Sequence, residues 1–79
     1  MSLLPPKTLS SLSLGQRCAI EYINGHELQL AMLKLGVSTG SIAVLCNIAP
    51  LGDPIAIAIN GTKIAIGKEA AAQIIVKPL

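Results

Sequence analysis

The sequence predicts a mostly β domain, a small five-stranded β-barrel with one short α-helix inserted after the first strand. Three observations carry this. Apolar residues recur at period two in several short runs, turn residues punctuate them at intervals of about 8–12 residues, and one stretch alone, His26 to Gly36, has convincing helical periodicity. Short strands without a βαβ rhythm point to a barrel rather than a layered sheet. Closure would also remove the long β-branched edges that an open sheet offers to aggregation.

Taken in order, Met1 to Lys7 is the expected flexible tail, because Pro5-Pro6 disfavours helix and favours an extended chain. The folded domain is expected over residues 8–79. Thr8 is placed to cap about one turn carrying Leu9 and Leu12, which ends before Gly15. From Arg17 the period changes to two: Cys18, Ile20 and Tyr22 share one face of a first strand that ends at Asn24-Gly25. The helix follows, with Leu28, Met32 and Leu35 on one stripe and Gly36 as its left-handed terminator. Leu30 and Leu33 lie off that stripe, so the helix is apolar over more of its circumference than a surface helix needs.

After a turn at Val37 to Ser41, Ile42, Val44, Cys46 and Ile48 alternate along a strand that Ala49-Pro50 ends. Leu51-Gly52-Asp53-Pro54 makes a tight reversal, with Gly52 free to take positive φ. Ile55, Ile57 and Ile59 form the next strand, and Asn60-Gly61 is the signature of a two-residue hairpin turn. Ile64 and Ile66 return. Lys68 to Gln73 permits one helical turn, and Ile74 and Val76 belong to the last strand.

Composition narrows the function. Of 79 residues, 52 % are hydrophobic and only 13 % charged, against a usual charged share of about 25 %. A chain this short buries only about 60 % of its unfolded surface, so some of that apolar content is expected at the surface, where it marks a partner, an oligomer or a membrane neighbour. No span is expected, since crossing needs about 20 consecutive apolar residues and Asn47, Pro50, Asp53, Asn60 and Lys63 interrupt the runs. The N-terminus lacks the pattern of a signal peptide, which makes the cytoplasm the expected compartment and reduced thiols the expected state of Cys18 and Cys46.

Reactive constellations are missing. Metal binding needs three or four converging ligands, and the chain has no CxxC, no HxxxH and no carboxylate cluster; His26 and Glu27 are better read as the opening of the helix. Cys18 or Cys46 paired with His26 would make a poor nucleophile, because a thiol buried in a strand is inert. No acidic pair exists for acid–base work. The expectation is therefore no catalytic residue, no metal site and no cofactor. A net charge of +2, dispersed basic residues and a lone Tyr22 argue against nucleic acid, which needs basic grooves and stacking aromatics. Asp53 is expected to bond backbone N–H groups within its own turn.

The stretch LGVSTGSIAVLCNIAPLGDPIAIAINGTKIAIGKEA resembles the FeoA family, small cytosolic proteins of bacterial ferrous-iron uptake. The matching features are Leu35-Gly36-Val37, Gly40, the Ala49 to Pro54 turn, the Ile55 to Ile59 alternation, Gly61, and Lys68 to Ala72. With the opening LSLGQRCAI, the likeness spans Thr8 to Lys77. It implies an SH3-like barrel with a non-catalytic role, as partner of the membrane GTP-binding ferrous-iron permease, FeoB, and hence an indirect membrane association. Related domains in metal-dependent repressors supply the alternative of a regulatory domain; a direct transition-metal-binding protein is a third.

Two positions depart from the family pattern: Ala31-Met32 and Gly67 stand where a basic residue is often found. Contact is therefore expected through Leu30, Leu33 and Lys34 on the helix and through Leu51, Gly52, Asp53 and Pro54 in the turn. For Leu30 and Leu33 the competing reading is burial under Leu9, Leu12 and Leu14. Self-association through the same strip is a further outcome.

Overall fold

Alternating isoleucines and alanines make the most regular element. In Ile55–Ile59 (β3) every isoleucine is buried and both alanines face the other way, the period-two geometry of a half-buried strand. In the computed structural model, which describes residues 7–79, β3 is joined by Asn60-Gly61 to Thr62–Ile66 (β4), paired from Ile59↔Thr62 to Ile55↔Ile66. Asn60 and Gly61 take φ of 51° and 77°, the paired positive values of a type I′ turn.

The remaining elements are Arg17–Ile23 (β1), His26–Lys34 (α1), Ile42–Ile48 (β2), Lys68–Ala71 (α2) and Ile74–Pro78 (β5), preceded by a 3-10 turn at Leu9–Ser11. All strand pairs are antiparallel, in the order β4-β3-β2-β1-β5. The fold is thus mostly β and SH3-like, with its one substantial helix after the first strand, as the sequence predicts. Closure differs: among the described residues no ladder joins β4 to β5. The β5 edge is instead capped by the chain's own start, through a Thr8↔Ile75 bridge and a 2.9 Å hydrogen bond from the Val76 N–H to the Lys7 carbonyl. Residues 1–6 of the expected tail lie outside the described residues.

Two bulges decide which side chains reach the core. Glu21 is the extra residue of β1 against β5, where pairing steps from Ile20↔Val76 to Tyr22↔Ile75. The bulge places Ile23 in the interior and leaves Tyr22 exposed, so the expected Cys18–Ile20–Tyr22 face is corrected to Cys18, Ile20 and Ile23. Cys46 is the extra residue of β2 against β3, between Leu45↔Ile57 and Asn47↔Ala56. The core side of β2 is Ala43 and Leu45, not the longer Ile42, Val44, Cys46 series. A bulge sets two residues against one and breaks the alternation that a sequence pattern assumes.

Leu9, Leu12, Val37, Met32 and Ala71 complete the core with the strand residues. Helix α1 ends as its sequence requires: Gly36 takes φ of +84°, the Gly36 N–H bonds the Leu33 carbonyl, and the Val37 N–H bonds the Met32 carbonyl at 2.9 Å. This is a Schellman ending, and the apolar contact that accompanies it is Val37 with Met32, both buried.

Candidate functional site

Helix α1 positions the first group of expected contact residues. At about 100° per residue, Leu30 and Leu33 lie about 60° apart and nearly opposite the Leu28–Met32 stripe. Met32 is buried and Leu28 packs against the core, so the other two project outward, 47 % and 60 % exposed. The competing cover is absent. Leu9, on the 3-10 turn that packs against β5 and α2, and Leu12, just after that turn, are buried in the core, and Leu14 is itself exposed. Leu35 also leaves its expected stripe and is 51 % exposed, because the helix ends at Lys34. Lys34 is exposed beside Leu33.

Beside Leu33 runs a groove of about 270 Å³ lined by Tyr22, Ile23, Gln29, Leu33, Val37, Ser38 and Thr39. Gln29 ties the helix over the end of β1 by donating to the Ile23 carbonyl at 2.8 Å. Tyr22 is the residue that sequence reasoning misses here. Its signal is legible only once the Glu21 bulge turns it out of the core phase; no single-residue pattern announces that bulge.

The second group sits elsewhere. Asn60 donates from Nδ2 to the Gly36 carbonyl at 3.1 Å, which fixes the end of α1 beside the β3–β4 hairpin. Leu51 to Pro54 lies at the opposite end of β3. The expected contact residues therefore form two patches separated by about the length of that strand, roughly 16 Å for five residues. Leu51 is 94 % exposed, and Gly52 takes φ of +85° with its N–H bonded to the Ala49 carbonyl. Asp53 corrects the expectation of a bond within its own turn. Its Oδ1 accepts from the Lys68 N–H at 2.9 Å, so it caps α2 across the fold.

Among the described residues, no three His, Cys, Asp or Glu side chains converge to hold a metal ion. Cys18 and Cys46 are both free thiols. Cys18 faces the core, and burial pushes its thiol above the ordinary range, opposed by a smaller effect of a hydrogen bond with the Ala43 backbone. Cys46, in its bulge, donates from Sγ to the Ala56 carbonyl at 3.4 Å. No helix among the described residues is long and apolar enough to cross a membrane.

Topology, strand order and an outward apolar helix face place the molecule in the class of small SH3-like β domains. The FeoA domain model matches residues 7–78, and the chain belongs to the FeoA family. The solution structure of the FeoA protein from Chlorobium tepidum is similar at 28 % identity and a TM-score of 0.87, over 92 % of this chain and 70 % of that one. A crystal structure of an iron uptake regulatory protein (FeoA) aligns at 26 % identity and a TM-score of 0.83, over 96 % of this chain and all 100 % of the other. A manganese-dependent transcriptional repressor aligns at 20 % identity and a TM-score of 0.86, over 96 % of this chain and 42 % of the repressor; that likeness concerns the fold alone. No curated protein matches the sequence.

Proposed function

We propose that the chain is a cytoplasmic, non-catalytic accessory protein of ferrous-iron uptake that works by contact with the GTP-binding portion of a FeoB-type permease. Family membership supports the iron-uptake setting. The observation that carries the contact reading is the outward pair Leu30 and Leu33 on α1, next to the Tyr22-lined groove. Among the described residues, about half of each of these aliphatic side chains is left uncovered on the side of the helix away from the core, and exposed apolar surface grouped in this way marks an interaction surface. Lys34 borders it, while Leu51 offers a second, separate contact at the other end of β3.

The test is binding of the purified protein to the permease's soluble GTP-binding portion, measured with the Leu30→Glu plus Leu33→Glu variant alongside. The expected result is binding that the variant loses at unchanged circular dichroism. Binding that survives the double change would overturn the assigned surface, and no binding to the permease would overturn the partner. The alternative, a regulatory domain working with a metal-dependent repressor, predicts capture of the repressor in the same assay. Direct metal binding predicts saturable, chelator-sensitive uptake in a ferrous-iron titration.

A further inference from the structure

The outer face of the sheet holds a pattern that the helix surface does not explain. One cross-strand row runs Arg17↔Val44↔Ala58↔Lys63 through β1, β2, β3 and β4. The next runs Lys77↔Ala19↔Ile42 through β5, β1 and β2. All of these side chains are on the phase opposite the buried residues. Ile42 is 43 % exposed, the three basic residues are exposed, and Ala19, Val44 and Ala58 are half-buried. Where an antiparallel sheet ordinarily turns alternating polar residues to water, the middle of this face is aliphatic except for the exposed Asn47 opposite Ala56, and its margins are basic. Glu21, at the far end of β1, is the one carboxylate on the same strands.

We infer that this face is a docking surface for an acidic amphipathic helix of a partner protein, laid along β2 and β3. Three features select that occupant. Arg17 and Lys63 are three strand spacings apart, about 14 Å, and a helix with its side chains is about 10–12 Å across, so the basic pair straddles it. The small side chains of Ala56 and Ala58 make β3 a shallow trough that admits the helix's apolar stripe, with Ile42 and Val44 as its wall. The charge is one-signed where contact occurs: Arg17 and Lys77 on one margin, Lys63 on the other. That sign opposes a second copy, since twofold pairing would set basic residues against basic residues. The inference takes from the proposed function only that the protein works by protein contact; it concerns a face distinct from Leu30 and Leu33.

The experiment is a titration of the isotope-labelled protein with a synthetic helical peptide about four turns long, its Leu stripe flanked by Glu on both sides. The same peptide with Lys for Glu, anionic phosphatidylglycerol vesicles and single-stranded DNA serve as competitors for the assignment. The expected result is saturable shifts at Ile42, Val44 and Ala58 with the Glu peptide alone. Affinity should fall at least about tenfold in the R17E/K63E/K77E variant, a multiple of single surface pairs, and be unchanged in the Leu30→Glu plus Leu33→Glu variant. Should the triple variant not fold, the unaltered protein still decides: binding should weaken steeply between about 0.1 M and 1 M salt, as the screening length drops from about 10 Å to about 3 Å. Equal binding of the Lys peptide, salt-insensitive binding, shifts confined to α1, or tighter binding to vesicles or DNA would each overturn the proposal. Because the permease is not in the experiment, its failure leaves the permease reading standing, and the reverse also holds.

Discussion

The Oδ1 of Asp53 accepts a 2.9 Å hydrogen bond from the backbone N–H of Lys68, which joins the β2–β3 turn to the first turn of α2. Gly67 precedes that helix in extended backbone with no side-chain cap of its own. A four-residue helix has hardly any interior, so its free N–H groups matter, and a carboxylate at its positive end suits both hydrogen bonding and the local dipole.

Asp53→Ala should therefore destabilise the domain by about 0.5–2 kcal/mol, the cost of losing a helix cap, whereas Asp53→Asn should retain most of it. Urea unfolding of both variants measures the difference. Equal loss in the two would mean that the charge, not the cap, matters.

Gly67 sits at φ of −64° and ψ of 153°, backbone that any residue adopts. A Cβ there would lie 3.9 Å from Asp53 Oδ1, an ordinary contact. Gly67→Ala should stabilise by about 0.4–1 kcal/mol by reducing the freedom of the unfolded chain. In a domain of this size that is a rise in Tm of a few degrees, readable by differential scanning calorimetry.

Leu9 is fully buried although it lies before the first strand. Truncation to alanine should cost about 2–5 kcal/mol, a large part of what a small domain possesses. The expected observation is a strongly lowered urea midpoint with the slope retained. A loss under about 1 kcal/mol would show that the 3-10 turn detaches without unfolding the sheet.

Cys18 provides a pH signature. Burial raises its thiol pKa in the folded state, so the native protein holds that proton to higher pH than the unfolded chain does. The unfolded state then binds fewer protons, and stability declines as pH rises past the ordinary cysteine range, about 8.5. Comparing the native chain with Cys18→Ala between pH 7 and pH 10 isolates this contribution: the alkaline decline should be shallower in the variant. Parallel profiles would assign the decline to other groups.

Much of the fold and part of the candidate site were legible in the residues themselves. Asn60-Gly61 determines a type I′ hairpin because few other pairs tolerate two positive φ values, and Gly36 determines where α1 stops for the same reason. The strict Ile-Ala alternation of β3 admits a single buried face. Leu30 and Leu33 stand out because helical periodicity places them away from the stripe that must be buried. These are local facts, set by dihedral preference and period.

What only the tertiary structure decided is phase and partnership. Two bulges arise in the pairing of strands, at Glu21 where β1 meets the distant β5 and at Cys46 where β2 meets β3; the first turns Tyr22 outward and brings Ile23 in. Ala43 and Leu45 win the core over Ile42 and Val44 despite their lesser bulk, since the space at the sheet's interior is shared with β3, Leu9 and Val37. Asp53 finds Lys68 rather than its own turn because the antiparallel β3–β4 return carries α2 back beside it. Alternation tells that a strand has two faces; which one meets the core is settled by what the rest of the chain packs against it.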